Sequence, residues 1–82
     1  MSRVTLISRD GCHLCEEAEA VLDRVVPGQW ARVDVESSIE LEHDYGDRVP
    51  VVLLDGAEHG YWQVEESRLL SDLARPPGKP RR

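Results

Sequence analysis

Val4-Thr5-Leu6-Ile7-Ser8-Arg9-Asp10-Gly11-Cys12-His13-Leu14-Cys15 runs from a strand through a turn into the start of a helix, with two thiols three positions apart at the junction. Residues Arg3 to Ser8 alternate around Val4, Leu6 and Ile7 with β-branched content, and Asp10-Gly11 is a turn pair. Beyond it, Leu14, Ala18, Val21, Leu22 and Val25 trace an apolar stripe on a helix stopped by Pro27-Gly28. Cys15 stands three residues before Ala18 at the edge of that stripe. It is therefore expected on the buried side, with Cys12 at the exposed helix end. Positions i and i+3 are neighbours on one helix face, at separations a disulfide can bridge. The unpaired N–H groups of a helix N-terminus also favour a thiolate on the first cysteine. Cys12 is the expected nucleophile and Cys15 the resolving thiol.

Working outward, Trp30 to Val35 alternates with Ala31, Val33 and Val35 on one face and Arg32 and Asp34 on the other, predicting a half-buried strand. Ser37-Ser38-Ile39-Glu40 reads as a capping box that opens a short helix through Leu41 and Tyr45, stopped by Gly46. Val51-Val52-Leu53-Leu54 is a continuous apolar strand. Asp55-Gly56 is a two-residue hairpin turn into Ala57 to Tyr61, so these two strands are predicted to pair antiparallel. Leu69, Leu70 and Leu73, following Glu65-Glu66, define a last helix that ends before Pro76-Pro77. The order predicts an α/β domain, βαβ then ββα, with a four-stranded mixed sheet flanked by three helices. Its cysteine motif falls at the carboxyl edge of the sheet, where open α/β sheets hold their sites. Residues 1–75 form the predicted domain, and 76–82 read as a disordered tail.

A chain of 82 residues supports one core, and 40% hydrophobic with 32% charged residues is ordinary for a soluble globular domain. The net charge of −6 argues against nucleic acid or an anionic membrane as partner, since the basic patch that neutralises phosphates is missing. Met1 to Ile7 holds no apolar segment long enough for a signal peptide, and no transmembrane stretch follows, so the cytoplasm is the expected location. In a reducing compartment a lone close pair of cysteines points to catalysis or metal binding rather than to a structural staple. A metal site would have to complete Cys12 and Cys15 with His13, His43 or His59. These histidines are scattered singly where zinc sites usually show a second close pair, so no metal is expected. A small acidic domain without an evident large apolar patch is expected to be a monomer.

Cys12-His13-Leu14-Cys15 after strand one, Val49-Pro50 before strand three and Asp55-Gly56 in the hairpin resemble a thioredoxin-fold protein of glutaredoxin type, over residues 3 to about 75. Ser8-Arg9-Asp10-Gly11-Cys12-His13-Leu14-Cys15-Glu16-Glu17-Ala18, with Asp34, Tyr45-Gly46 and Val49-Pro50-Val51, is most similar to the small bacterial glutaredoxin-like proteins. The resemblance implies a thioredoxin-like fold and thiol–disulfide oxidoreductase activity. It further implies that Pro50 is cis and faces the cysteine pair, leaving the Val49 backbone to pair with a substrate peptide or glutathione. Cys12 and Cys15 are then the exchanging thiols, and Val49, Pro50, Arg9 and His13 the residues expected to meet substrate.

Arg9 and a protonated His13 favour the Cys12 thiolate, whereas Asp10, Glu16 and Glu17 oppose it, and the helix terminus tips the balance towards thiolate. Glu16, Glu17 and Glu19 read as a solvated helix face. Tyr61 and Trp62 read as covering the sheet, with a place lining a peptide groove as the alternative. The implied partners are a protein or low-molecular-weight disulfide and an unidentified reductant. No cofactor is expected beyond the redox-active disulfide, with glutathione one candidate reductant. Two departures bear on this. Gly60-Tyr61-Trp62-Gln63-Val64-Glu65 has one glycine where glutathione-using glutaredoxins carry a pair, and Gly11 and His13-Leu14 replace the Trp and Gly-Pro of thioredoxins. A non-enzymatic interaction module that keeps the fold and the cysteines is the other reading.

Overall fold

Val4, Leu6 and Ile7 lie at the centre of the molecule because β1 (Val4–Ser8) is paired on both sides in the computed structural model, which describes residues 2–75. On one side β1 runs parallel to β2 (Trp30–Asp34), from Val4 opposite Trp30 to Ser8 opposite Asp34. On the other it runs antiparallel to β3 (Val51–Leu54), with Ile7 opposite Val51. β4 (Ala57–Tyr61) completes a four-stranded mixed sheet in the order β2-β1-β3-β4. The helices are α1 (His13–Val25), α2 (Ile39–Tyr45) and α3 (Glu66–Leu73), with a 3₁₀ turn over Val35–Ser37. This is the predicted βαβ unit followed by ββα. The boundary drawn at residue 75 and the tail from 76 fall at and beyond the end of the described residues.

Strand pleating divides the core in two, since successive side chains point to opposite faces. Val4 and Leu6 pack with Val52 against Ala18 and Leu22 of α1, Val26 and Leu69 of α3. Ile7 and Val51 turn the other way and meet Val35, with Leu41 and Tyr45 of α2 closing over them. Thus α1 and α3 cover one face and α2 the other. The β3–β4 hairpin turns at Asp55 and Gly56, both with positive φ (53° and 85°), the conformation a tight two-residue hairpin requires. Arg3 grips the Asp55 carboxylate through Nε at 3.0 Å and Nη2 at 2.9 Å, and its Nη1 reaches the Leu73 carbonyl at 3.2 Å. The hairpin tip, the first strand and the end of α3 are thereby tied together.

Several local expectations are corrected. Leu14 and Leu70, read as core residues, are 46% and 48% exposed. β2 is an edge strand and does not alternate cleanly: Ala31 is exposed, and Val35, read as strand, opens the 3₁₀ turn and is fully buried. The cap of α2 is Ser38, whose Oγ accepts the Leu41 N–H at 3.0 Å, whereas Ser37 ends the preceding turn. Gly46 closes α2 in right-handed geometry (φ −53°). It is small for lack of space, since a Cβ there would lie 2.5 Å from the Glu42 carbonyl oxygen. The β3–β4 register also shifts, with Val52 opposite Gly60 but Leu53 opposite Glu58, leaving His59 as a bulge residue. His59 is buried against α3, its Nε2 2.9 Å from Asp72 Oδ2.

Candidate active site

Gly11, at φ 75°, turns the chain out of β1 so that Cys12 becomes the N-cap of α1 in extended geometry (φ −101°, ψ 116°). The Cys12 Sγ accepts the Cys15 N–H at 3.2 Å, and the Cys12 carbonyl takes the Glu16 N–H at 3.0 Å. A sulfur thus occupies the place where helices usually carry a Ser or Asp oxygen. An N–H donor and the positive end of the helix dipole both stabilise negative charge there. Both cysteines are free thiols: Cys12 half-buried, Cys15 fully buried. The expected asymmetry of the pair is present. Burial pushes the Cys15 thiol up from its ordinary range, and the neighbouring Cys12 adds to the shift, with smaller opposing contributions from the Arg9 backbone and Ser8.

Pro50 follows a cis peptide bond from Val49 and is fully buried. The β1–β3 register ends with Ile7 opposite Val51, so one further step sets Pro50 against Ser8, at the same sheet edge as the cysteine loop. The Pro50 carbonyl accepts the Trp62 N–H at 2.7 Å, which brings the end of β4 to this edge as well. Among the described residues, the backbone of Val49 closes no hydrogen bond outside the strands. Tyr61 and Trp62, read as covering the sheet, are 47% and 54% exposed and meet edge-to-face with ring centroids 5.1 Å apart. The Arg48 guanidinium lies 5.8 Å from the centroid of the Tyr61 ring.

The two charged residues expected at the site are placed differently. His13 projects into solvent from the first turn of α1, its Nε2 2.9 Å from Glu17. The Arg9 guanidinium points away to the 3₁₀ turn and α2, bonding Glu36 at 2.7 Å, Glu42 at 2.9 Å and the Gly46 carbonyl at 3.1 Å. His13, His43 and His59 stand on three different elements, each beside a carboxylate.

Sequence reasoning missed a polar cluster at the end of β1. Ser8 is fully buried, and its Oγ donates to Glu19 Oε2 at 3.2 Å, while Arg32 Nε from β2 holds the same oxygen at 3.1 Å. Glu19 therefore leaves the solvated face assigned to it and turns towards the sheet. Arg32 also bonds Asp10 at 2.9 Å. Arg9, Asp10, Gly11, Glu16, Glu19 and Arg32 line a polar cleft of about 190 Å³. The one available sequence signal was Ser8 itself, a hydroxyl ending an otherwise apolar run.

The family described as "Glutaredoxin-like domain (DUF836)" matches residues 3–74. An uncharacterized protein of Mycobacterium tuberculosis is 42% identical over 94 aligned positions, spanning 96% of this chain and 97% of the relative. Among solved structures, a structural-genomics target from X. campestris superposes with a TM-score of 0.72 at 35% identity, covering 89% of this chain and 99% of that one. Oxidized glutaredoxin 2 from Chlamydomonas reinhardtii superposes with a TM-score of 0.57 at 19% identity, over 88% of this chain and 73% of the other, and so shares the fold. The architecture is the thioredoxin-like, glutaredoxin-like fold that the resemblance implied, and a redox role fits its two closely spaced cysteines. With a match over nearly all its length, this chain belongs to the glutaredoxin-like (DUF836) family.

Proposed function

We propose that this protein is a thiol–disulfide oxidoreductase that works through the Cys12/Cys15 pair. The observation that carries the reading is the Cys12 sulfur capping α1, hydrogen-bonded to the Cys15 N–H, with the second thiol buried one helical turn away. In the first step the Cys12 thiolate attacks one sulfur of a substrate disulfide, forming a mixed disulfide and expelling the other substrate sulfur as thiolate. In the second, Cys15 gives up its proton and attacks Cys12 Sγ, forming the Cys12–Cys15 bond and releasing the reduced substrate. The substrate disulfide gains two electrons and the protein dithiol loses them. An external dithiol or glutathione then restores the pair.

The substrate is a protein or low-molecular-weight disulfide, and the protein acts as a monomer in a reducing cytoplasm. Val49 offers unpaired backbone groups beside Pro50 for an extended substrate segment. His13 stands at the open rim, where it meets whatever reaches Cys12. Arg9 acts from behind by anchoring the loop that carries the cysteines. Among the described residues, no helix is long and apolar enough to cross a membrane.

Equilibration against glutathione and dithiothreitol buffers, with trapping of free thiols, tests the reading. A reversible two-electron transition between about −120 and −270 mV is expected, the span of known dithiol oxidoreductases. Cys12→Ser should abolish disulfide exchange, and Cys15→Ser should halt at a trapped mixed disulfide. If no Cys12–Cys15 bond forms at any potential, exchange catalysis is wrong and an interaction module takes its place.

A further inference from the structure

Glu16, in the first turn of α1, and Asp47, in the loop leading to Pro50, are exposed carboxylates on the two segments that meet at the sheet edge of the thiol pair. Glu16 gives its N–H to the Cys12 carbonyl at 3.0 Å. Asp10, two positions before Cys12, is exposed as well, and it lines the polar cleft together with Gly11 and Glu16. Among the described residues, neither Glu16 nor Asp47 has a cationic partner. The arginines near this edge are all held. Arg9 bonds Glu36, Glu42 and the Gly46 carbonyl; Arg32 bonds Asp10 and Glu19; Arg48 bonds Glu58 and the Asp44 carbonyl. An anion can recruit one of these only by taking it from a carboxylate, which leaves that negative charge bare. Of the other described arginines, Arg68 bonds the His59 carbonyl, and Arg3, Arg24 and Arg75 pair with Asp55, Glu66 and Asp72.

The exposed rings favour the same sign of charge. Trp62 holds a φ of 69°, which a bulky side chain rarely adopts, and its N–H is fixed on the Pro50 carbonyl at 2.7 Å. Its indole nevertheless stays open to solvent. An aromatic face attracts cations. Arg48 already lies over the Tyr61 ring, whereas among the described residues no arginine lies over Trp62. Two positive groups also stand at this edge. His13 is beside Glu17 at 2.9 Å, and the N-terminal end of α1 already gives the Cys15 N–H to the Cys12 sulfur.

We propose that this charge pattern selects the substrate: the Cys12/Cys15 pair takes disulfides with positive charge beside the S–S bond, such as a protein segment whose cysteine is flanked by lysine or arginine, and discriminates against anionic ones such as glutathione disulfide. The proposal rests on the exchange chemistry described above and keeps its balance, the substrate disulfide being reduced to two thiols as Cys12 and Cys15 join. Each glutathione unit carries two carboxylates and one ammonium group. It therefore brings net negative charge to an edge whose arginines are all engaged. A lysine-flanked cysteine brings the charge that Asp10, Glu16 and Asp47 attract. In solution such attraction acts over about 10 Å at 0.1 M salt. Focused at one face of a protein, it raises association rates by about tenfold or more. The whole chain, with a net charge of −6, adds to the same preference.

The test uses probes that share one leaving group: cysteine peptides carrying a 2-pyridyl disulfide and flanked by lysine or glutamate, the 2-pyridyl disulfide of glutathione, and 2-(pyridyldithio)ethylamine as a small cation. The reduced full-length protein is mixed with each, and release of 2-thiopyridone is followed by stopped flow. Dividing each rate constant by that of dithiothreitol with the same probe removes differences in the probes' own reactivity. At low salt the lysine-flanked peptide should react about tenfold or more faster than the glutamate-flanked one, with the glutathione probe among the slow ones. In about 1 M salt, where charges are screened beyond about 3 Å, the ratio should fall towards one. Combining Glu16→Gln with Asp47→Asn should shrink the low-salt ratio about threefold or more. A slowing shared equally by every probe would reflect structure alone and count against the proposal. A low-salt ratio near one, or fastest reaction with the glutathione probe, overturns it. If the ethylamine probe matches the lysine peptide, a small amine disulfide suffices as ligand; if it trails, the ligand is a protein segment, and both results uphold the charge rule. If wild type reacts no faster than Cys12→Ser with any probe, the exchange reading itself falls, a result distinct from a lost charge ratio.

Discussion

Cys12 and Cys15 are chemically alike in the sequence and differ only through place. Cys12 ends an extended turn where its sulfur takes an N–H bond, and Cys15 is carried one turn inward under the sheet edge. Desolvation disfavours the charged form, so a buried thiol holds its proton to higher pH. Replacing Cys12 by Ser removes the neighbouring thiol but leaves that burial intact. In Cys12→Ser the rate of Cys15 alkylation by iodoacetamide should therefore rise with a midpoint above the ordinary thiol value of about 8.5. It should also lag far behind Cys12 alkylation in Cys15→Ser. A midpoint at or below the ordinary value would show that the second thiol is open to water. The difference in burial between the two thiols was legible from their positions relative to the apolar stripe. The bond between Ser8 and Glu19 was not, because the two residues lie on different elements.

At the scale of elements, α2 shows how a correct helix can carry a wrong cap. Ser37 and Ser38 are chemically equivalent, and either starts a plausible capping pattern. The choice is made upstream: Val35 is drawn under Ile7 and Val51, which forces a 3₁₀ turn over Val35–Ser37 and leaves Ser38 at the cap. A helix of seven residues has little stability of its own and depends on its cap and its packing. Ser38→Ala should cost about 0.5–2 kcal/mol in urea unfolding. Ser37→Ala should stay within about 0.5 kcal/mol of wild type. The reverse ranking would restore the capping box at Ser37. The β3–β4 hairpin was read without error because Asp-Gly leaves the backbone few alternatives. The bulge at His59 was not, since no residue in Glu58-His59-Gly60 announces a register shift.

For the whole molecule, stability rests on two small clusters, one on each face of a four-stranded sheet. Domains of this size hold a margin of only about 5–15 kcal/mol, so a single core truncation removes a large part of it. Leu22 is fully buried between α1 and the sheet, whereas Leu70 on α3 is half-exposed although both carry the same apolar signal in sequence. Leu22→Ala should destabilise by about 2–5 kcal/mol. That lowers Tm by about 10 °C or more in a domain of this length. Leu70→Ala should shift the free energy by less than about 0.5 kcal/mol. Comparable losses from the two variants would mean that Leu70 is covered in solution.

The sequence by itself determined the element order, the hairpin, the placement of the cysteine pair at a strand-to-helix junction and the difference between its two thiols. These follow from periodicity, turn chemistry and spacing along one chain segment, which are local properties. Tertiary structure alone decided that Arg9 turns its guanidinium towards Glu36 and Glu42, that Tyr61 and Trp62 stand exposed at the end of β4, and that Ser8, Glu19 and Arg32 converge on one carboxylate oxygen. Residues 8, 19 and 32 belong to a strand, a helix and a second strand. Their meeting depends on the parallel register of β1 with β2 and on how α1 packs across them, and no pattern within any one segment encodes that.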